Sequence, residues 1–357
     1  MTLDSIRSAL PLAYGAAILA PKFKISLIKE RIRMPKQAAI NSDFGKESTA
    51  REVIAGINLR GKQVLVTGGY SGLGLETTRA FASAGASVLV PARRPEHARN
   101  ELAGLDDLSG DIEVEALDLG DLASITAFAQ RFLDTGKSID ILINNAAIMA
   151  CPETRLAHNW EAQFATNHLG HFALTSLLYP ALAADGGARV ISLSSTGHKL
   201  SPIRWDDLMF ERDDYNKWKA YGQAKTANSL FAVQLDALGE DDNVRAFAVH
   251  PGGIMTPLQR HLPKEEMIAM GWIDEAGTVN TLFKNVEQGA ATTVWAATSS
   301  DLHGRGGVYC EDCDIANPTV VGSESARFRG VDAHAIDADA AQRLWTLSES
   351  LTGIKAF

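Results

Sequence analysis

The chain has 357 residues, of which 46% are hydrophobic and 22% charged, so it can bury the core of one large α/β domain and is too apolar for extended disorder. Its net charge of −9 excludes the basic footprint that nucleic-acid binding needs. Three cysteines make no disulfide framework, and such scarce cysteine predicts a reducing, cytoplasmic setting.

The beginning of the chain differs from the rest in charge. Residues 1–40 hold seven Lys or Arg and two acidic residues, a net of +5, which leaves −14 for the remainder (−9 minus +5). The apolar run from Ala9 to Ala20 is shorter than the ~20 residues of a membrane-spanning helix, and no signal-peptide cleavage site follows it. We therefore expect residues 1–41 to form an extension. It either lies on a membrane surface or packs against the main domain or a partner subunit.

From Leu59 onward, short β-rich runs alternate with helical stretches. The predicted strands are Lys62–Thr67, Ser87–Val90, Ile112–Ala116, Ile139–Ile143, Arg189–Leu193, Val244–Val249 and Gly307–Cys310. The predicted helices are Gly74–Ala84, Glu96–Leu105, Leu122–Thr135, Trp160–Ala183 and Ala220–Leu238. Apolar strands that alternate with helices are typical of a parallel sheet covered on both faces. The pattern predicts a doubly wound (Rossmann) α/β fold in a single catalytic domain, residues 42–330, with a C-terminal helix or tail over 331–357.

A glycine-rich turn joins the first predicted strand to the first predicted helix. Its glycines let the backbone approach a pyrophosphate, and the helix N-terminus offers free N–H groups to the anion. The residues predicted to bind the cofactor here are Thr67, Gly68, Tyr70, Ser71, Gly72, Leu73 and Gly74.

The end of the second strand indicates which dinucleotide is preferred. An acidic residue there would bond the ribose hydroxyls of NAD, whereas a nearby Arg accommodates the 2′-phosphate of NADP. The chain reads Val90-Pro91-Ala92-Arg93-Arg94, without an acid. Because a guanidinium can bond a phosphate through two N–H groups, Arg93 favours NADP over NAD.

Tyr221 and Lys225 lie four residues apart and so share one helical face. An ammonium group stabilises a nearby phenolate and lowers the pKa of the tyrosine from about 10, which makes proton transfer feasible near neutral pH. This spacing alone is common by chance. Other polar and glycine motifs, however, follow the fourth, fifth and sixth strands, at the edge where such sheets bind ligands. These motifs are Asn144-Asn145-Ala146, Ser194-Ser195 and His250-Pro251-Gly252-Gly253.

This set of motifs, in this order, resembles the short-chain dehydrogenase/reductase family over roughly residues 42–320. The runs Asn167–Phe172 and Phe44–Ala50 are similar to the retinol dehydrogenase and WW-domain oxidoreductase branch. The resemblance implies a tetrad of Asn167, Ser195, Tyr221 and Lys225. In that tetrad Ser195 bonds the substrate oxygen, Tyr221 moves its proton, Lys225 holds the nicotinamide ribose and lowers the tyrosine pKa, and Asn167 fixes a relay water. It also implies cofactor contacts from Asp118, Leu119, Asn145, Ala146, Pro251, Gly252 and Thr256.

Two features depart from the family pattern. Ala147 stands where the fourth-strand motif usually has Gly, and its methyl group should crowd the cofactor slightly. The interval between Ser195 and Tyr221 is long, as in the retinol dehydrogenase branch. It carries the aromatic residues Trp205, Phe210, Tyr215 and Trp218.

The substrate side is less defined. By resemblance, Ile254–Thr281 is a mobile lid, and its many Met and Leu residues suit an irregular apolar molecule as well as ordinary helix packing. Met149 and Cys151 follow the fourth strand and can line the same pocket. We expect a bulky apolar alcohol, ketone or aldehyde, contacted by Met149, Ser195, Tyr221 and Met255.

The leading interpretation is an NADP(H)-dependent oxidoreductase that moves a hydride between the nicotinamide and a carbonyl or alcohol carbon. An NADPH-dependent C=C reductase and a catalytically silent NADP-sensing binding protein stay as alternatives, as does a homo-oligomer. We expect no metal site, since the scattered His168, His171, His198 and His250 read as packing residues. Cys310 and Cys313 form a C-x-x-C that is a redox pair, half of a zinc site, or two packing residues in a C-terminal loop.

Overall fold

The computed structural model describes residues 37–106 and 108–357, so most of the predicted N-terminal extension lies outside the described residues. An eight-stranded sheet in the order β3-β2-β1-β4-β5-β6-β7-β8 has seven parallel strands, with β8 antiparallel to β7. This confirms the predicted doubly wound α/β fold. The strands are β1 (Gln63–Val66), β2 (Ser87–Ala92), β3 (Ile112–Ala116), β4 (Ile141–Asn144), β5 (Arg189–Leu193), β6 (Arg245–His250), β7 (Val308–Glu311) and β8 (Asp314–Ile315).

Helices cover both faces of the sheet. They are α1 (Ala50–Ile54), α2 (Gly72–Ser83), α3 (Pro95–Leu102), α4 (Leu122–Asp134), α5 (Ala162–Phe164), α6 (Gly170–Leu177), α7 (Tyr179–Leu182), α8 (Lys217–Gly239), α9 (Lys264–Ala269), α10 (Val286–Thr298) and α11 (Ala338–Thr352). Successive strand residues point to opposite faces. Val64 and Val66 therefore join the core under α2 and α10, while Leu65 joins the core under α4, α6 and α8.

The prediction of one continuous helix over 160–183 is wrong. The chain passes from α5 into a π-helical segment, Ala165–Leu169, then into α6, and restarts as α7. Pro180 lies in the first turn of α7, where a residue without an N–H is tolerated, whereas in a helix interior its ring would clash with the preceding turn. The π segment contains Asn167, and such segments occur frequently at functional sites.

Two predicted boundaries shift in ways that affect the site. Strand β2 runs to Ala92, two residues beyond its predicted end, so Arg93 follows it directly. Helix α8 begins at Lys217, three residues before the predicted start. The side chain of Asn216 caps it by accepting hydrogen bonds from the backbone N–H groups of Trp218 and Lys219. Tyr221 therefore lies inside a stable helix and not at its frayed beginning.

Both ends of the described chain pack on the sheet domain. The Gln37 amide donates to the carbonyl oxygen of Ala316 and accepts from the backbone N–H of Tyr309, at the β7–β8 edge. In α11, the Trp345 ring stacks on Phe231 with 5.8 Å between ring centroids. The division at residues 41 and 330 stays a prediction. Among the described residues, no helix is both long and apolar enough to cross a membrane.

Cys310 and Cys313 are not loop residues packed at random. Cys310 lies in β7 and Cys313 follows it, and both free thiols are buried in the core under α10. Burial raises the pKa of Cys313 to about 11, and the Thr292 hydroxyl lies 3.8 Å from its sulfur. Both groups therefore pack as small apolar side chains in this arrangement.

Candidate active site

A cavity of about 1720 Å³ opens at the carboxyl ends of the strands. It spans the point between β1 and β4 where the strand order reverses, which is where open α/β sheets bind ligands. Segments that follow β1, β2, β4, β5 and β6 all contribute to its walls. The predicted cofactor and catalytic motifs thus meet around one cavity.

The turn between β1 and α2 has the shape that a pyrophosphate needs. Gly68 and Gly72 adopt positive φ angles of 64° and 53°. A Cβ added at Gly74 would lie 2.2 Å from the carbonyl oxygen of Gly68, so no side chain fits there. The free N–H groups of the twelve-residue helix α2 point toward the cavity end of this turn. These features fit a dinucleotide phosphate.

Thr67 supports this turn from behind. It is fully buried and does not line the cavity. Its hydroxyl oxygen accepts hydrogen bonds from the backbone N–H groups of Asn145 and Ala146, at 2.9 and 3.0 Å. The Asn145 amide donates in return to the carbonyl oxygen of Thr67 at 2.7 Å. The turn after β1 and the motif after β4 are therefore one hydrogen-bonded unit.

The distal end of the cavity is basic. The exposed side chains of Arg93 and Arg94 line it, together with Lys46, which sequence reasoning treated only as part of a family signature. Asp118 and Leu119 do not line the cavity, and the Asp118 carboxylate instead accepts from the backbone N–H of Gly120 at 2.9 Å. The structure thus brings Arg93 to the cavity and leaves Asp118 and Leu119, two of the predicted cofactor contacts, outside its lining.

Ser195, Tyr221 and Lys225 share one wall of the cavity. Ser194 also lines the cavity, but its hydroxyl donates to the backbone carbonyl of Lys225 at 2.8 Å. Ser195 accepts from the N–H of Gly197 at 3.0 Å, and a Cβ at Gly197 would lie 2.8 Å from a ring carbon of Tyr221. The small residue at 197 therefore lets the serine turn pack directly against the Tyr221 ring.

The prediction that Lys225 lowers the tyrosine pKa is not met in this arrangement. Burial raises the pKa of Tyr221 to about 12, although its hydrogen bond with Ser195 acts in the opposite direction. Burial also lowers the pKa of Lys225 to about 7. The Lys225 Nζ lies 5.5 Å from the Tyr221 ring centroid and donates to the carbonyl oxygen of Leu193 at 2.8 Å. Burial is therefore the main cause of the raised Tyr221 pKa, and the Lys225 ammonium is bonded to the Leu193 carbonyl instead.

Asn167 lies behind the cavity and does not line it. Its side-chain amide donates to the carbonyl oxygen of Ile148 and accepts from the N–H of the same residue, both at 2.9 Å. The side chain is therefore committed to the backbone that leads into Met149. Of the predicted tetrad, three residues face the cavity and the fourth shapes its wall.

The apolar part of the cavity combines aliphatic and aromatic side chains. Met149 lines it as predicted, whereas Met255 and Cys151 do not. Trp272 lies in the segment predicted to cover the substrate, and it lines the cavity. Sequence reasoning missed Trp218 and Phe283 as lining residues, although the aromatic enrichment before Tyr221 was a visible signal. The Trp218 ring packs edge-on to both Tyr221 and Trp272, with centroids 6.4 and 6.0 Å apart.

A carboxylate ties the predicted lid to the catalytic helix. Glu266 in α9 accepts from the indole Nε1 of Trp218 at 2.8 Å and from the Nζ of Lys217 at 2.6 Å. The Lys217 hydrogen bond is the main cause that holds the pKa of Glu266 below its usual value. The segment predicted as a lid is therefore hydrogen-bonded to the first turn of α8.

Charged residues that were not predicted from the sequence also line the cavity. They come from the chain after β7 and from Lys199, which pairs with Asp332 at 2.7 Å. Lys284 pairs with Asp312 at the same distance, and its side chain is 4% exposed. The cavity thus carries two ion pairs among its lining residues, in addition to its apolar lining.

The family model described as "short chain dehydrogenase" matches residues 62–267. A protein from Streptomyces antibioticus named "Probable oxidoreductase" is 46% identical over 295 residues, which cover 81% of this chain and 97% of that protein. Retinol dehydrogenase 12 from Mus musculus is 36% identical over 302 residues, covering 84% and 89%. A solved structure of an uncharacterized protein from Mycobacterium Paratuberculosis is 32% identical with a TM-score of 0.65, covering 85% of this chain and 98% of that one.

Proposed function

The chain belongs to the short-chain dehydrogenase/reductase family, in its retinol dehydrogenase-like branch, and we propose that it is an NADP(H)-dependent oxidoreductase acting on the carbonyl or alcohol carbon of a bulky apolar substrate. Its place among oxidoreductases follows from the family. One observation carries the finer proposal: Ser195, Tyr221 and Lys225 converge on one wall of a cavity that begins at a phosphate-shaped turn.

The proposed roles divide the reaction between hydride and proton. A bound nicotinamide supplies or takes up the hydride at the substrate carbon. In reduction, the Tyr221 hydroxyl gives its proton to the carbonyl oxygen, and Ser195 holds the same oxygen by a hydrogen bond. Addition of hydride and proton converts C=O to CH–OH, and oxidation reverses both transfers. A Tyr221 pKa of about 12 keeps the phenol protonated at neutral pH, which is the state that reduction needs.

The preference for NADP rests on the residues at the distal end of the cavity. Arg93 directly follows β2, lines the cavity and is exposed, and no acidic residue occupies the end of the strand. Arg94 and Lys46 add positive charge to the same region. A 2′-phosphate would be attracted there, whereas NAD would find no carboxylate for its ribose hydroxyls.

The substrate class rests on the lid side of the cavity. Trp218, Trp272 and Met149 make a wall that a bulky apolar body can cover. Aromatic and Met side chains bury large apolar areas while adapting to irregular shapes. The cavity is larger than most sites for one small molecule, which agrees with room for both a dinucleotide and a substrate.

Cofactor titration tests the first part of the proposal. We expect NADPH to bind at least about tenfold more tightly than NADH, and Arg93→Ala to remove most of that difference by weakening NADPH alone. Arg51→Ala is the matched control, since Arg51 is exposed and does not line the cavity. Equal affinities in the wild type, or tighter NADH binding, would refute the NADP assignment.

A substrate panel separates the remaining alternatives. Ketones, aldehydes and enones are offered with NADPH, its absorbance is followed and the products are identified. We expect the C=O bond to be reduced. Reduction of only the C=C bond of enones would indicate the other reductase chemistry. Tight NADPH binding without turnover of any class would indicate a binding protein.

A further inference from the structure

We propose that His171 is a positioning residue. It holds Thr67, behind the glycine-rich turn after β1, at a fixed distance from Asn167 in the π-helical segment Ala165–Leu169. The inference rests on the proposed function, because it assigns the imidazole a role in cofactor binding and turnover. His171 lies in α6, 3% exposed, behind the cavity wall. The sequence alone suggested only a packing residue.

The two ring nitrogens of His171 bond to two different motifs. Nε2 lies 2.8 Å from the Thr67 hydroxyl, behind the phosphate turn. Nδ1 lies 2.9 Å from the backbone carbonyl oxygen of Asn167, in the π segment. One side chain thus spans from β1 to the π segment, a separation of 104 residues between Thr67 and His171 in sequence.

The proton positions on this ring follow from counting donors. The Thr67 oxygen already accepts from the N–H groups of Asn145 and Ala146, so both of its lone pairs are used. Its single hydrogen must therefore point outward. His171 Nε2 at 2.8 Å is a better acceptor than the carbonyl of Ile143 at 3.3 Å. Nε2 then accepts, and the Nδ1–H donates to Asn167.

The ring is held in this neutral tautomer by its surroundings. Burial lowers the pKa of His171 to about 4, and the nearby charge of Lys225 lowers it further. The hydrogen bond to the Asn167 carbonyl raises this pKa, but its effect is smaller than that of burial. Protonation would remove the acceptor that Thr67 needs. The neutral imidazole therefore keeps both hydrogen bonds, to Thr67 and to Asn167, across the physiological pH range.

His171 does not line the cavity and acts on it through its two hydrogen-bond partners, Thr67 and Asn167. Thr67 orients Asn145 and Ala146, which line the cavity beside the phosphate turn. Asn167 fixes the backbone of Ile148, and Met149 follows on the apolar wall. A displaced ring would shift the cofactor side and the substrate side together. Small displacements of positioning groups can cost large factors in rate.

The neighbouring His168 provides a matched control. It is 2% exposed, lies three residues earlier, and is of the same type. Its Nε2, however, lies 2.8 Å from the Ser348 hydroxyl in α11, on the side away from the cavity. Replacing His168 removes a buried imidazole and its hydrogen bond without touching the cofactor turn.

The test uses the full chain and three substitutions at His171. His171→Phe keeps the ring volume and removes both bonds. His171→Gln can retain an acceptor for Thr67, and His171→Asn can retain a donor for the Asn167 carbonyl. For each variant, NADPH Kd, kcat with the best ketone of the panel, and Tm are measured. Thr67→Val, alone and combined with His171→Phe, completes a double-mutant cycle.

We expect His171→Phe to weaken NADPH binding and to lower kcat, each by roughly tenfold. His171→Gln should recover most of the affinity and His171→Asn most of the rate. The double variant Thr67→Val/His171→Phe should weaken NADPH binding by less than the product of the two single effects, because the bond between Thr67 and His171 is lost in both single variants. His168→Phe should lower Tm while leaving NADPH Kd within about twofold of wild type.

Two results would overturn the inference. In one, every His171 variant lowers Tm as His168→Phe does, with NADPH Kd and kcat unchanged. In the other, the effects of Thr67→Val and His171→Phe on Kd simply add. Failure of the proposed function would be distinct, because the wild type itself would then lack tight NADPH binding or lack ketone reduction. If His171→Phe does not fold, the Gln and Asn variants decide by the same two readouts.

Discussion

Lys225 lies in surroundings that oppose its charge. It is 3% exposed, its ammonium meets the Leu193 carbonyl, and its pKa falls to about 7 because of burial. A buried lysine without a carboxylate partner costs folding free energy and is a frequent mark of a functional site. The position is therefore one where stability and activity should respond in opposite directions.

Lys225→Met should stabilise the protein and impair turnover. The folded-state pKa of about 7 lies below the ordinary lysine pKa of 10.5, so between these pH values the unfolded chain binds more protons. The wild-type free energy of unfolding should therefore gain from this group as pH rises through that window, and its penalty is largest below it. At neutral pH, we expect the variant to gain on the order of a few kcal/mol and to lose at least about tenfold in kcat/KM.

Urea unfolding of both proteins from pH 6 to pH 10 measures this effect. The stability advantage of Lys225→Met should shrink as pH rises. A variant that is less stable than wild type at neutral pH, or an advantage independent of pH, would show that the buried ammonium is not the cause.

The sequence predicted which residues face the cavity better than it predicted their protonation states. The Tyr221 and Lys225 pair was visible as a four-residue spacing, and the structure brings both to the cavity. The direction of their pKa shifts was not visible, because desolvation depends on everything packed around a side chain. Met255 illustrates the same limit: its sequence neighbours line the cavity, but its own side chain does not.

At the scale of elements, the segment predicted as a lid is joined to α8 through the carboxylate of Glu266. Glu266 bonds both Lys217 and Trp218, at the first turn of α8. The lid residues Leu262, Met267 and Trp272 belong to the same apolar cluster as Tyr221. The position of this segment against α8 therefore depends on a few contacts that a single substitution can weaken.

Glu266→Ala should raise KM for the apolar substrate by about fivefold and change kcat less, because it weakens closure but leaves the acid and base in place. NADPH affinity should stay within about twofold, since Glu266 is remote from the phosphate turn. Steady-state kinetics on the ketone measures both constants. Glu265→Ala is the control, because Glu265 is an exposed neighbour in the same helix. Equal KM values for the two variants would contradict the role given to Glu266.

The elements themselves were predicted where period and length agreed. Strands β3 and β5 have their predicted bounds, because short apolar or β-branched runs between turns leave little choice. The π segment was not predicted, because its residues have the same apolar pattern as a plain helix. The extra backbone residue that it inserts is fixed by tertiary contacts such as that of Asn167 with Ile148.

At the scale of the whole molecule, both ends of the described chain pack against the sheet domain. Residues 37–41 run along the β7–β8 edge, where Asp314 accepts from the N–H groups of Ile40 and Asn41 at 2.8 and 3.0 Å. The sequence suggested a boundary at 41 because the basic character ends there. Charge patterning does not reveal where backbone hydrogen bonds begin.

Two truncations test whether the sheet domain begins at residue 37, where the hydrogen bonds begin, or after residue 41, where the basic character ends. Deleting residues 1–36 should leave NADPH affinity and Tm nearly unchanged, because the site is built from residues after 45. Deleting residues 1–41 removes the Gln37 hydrogen bonds and should cost roughly 1–3 kcal/mol of unfolding free energy. Unfolding in urea compares the two. Identical stabilities would show that residues 37–41 add nothing to the fold.

The central claim is that Tyr221 is the acid and base of an NADP(H)-dependent carbonyl oxidoreductase. It is tested most directly by Tyr221→Phe, with turnover of a ketone and NADPH Kd measured on the same preparation. The account predicts a fall in kcat of at least about a hundredfold with NADPH Kd unchanged, because only the proton donor is lost. A variant that keeps more than a few percent of the wild-type rate while binding NADPH normally would contradict it.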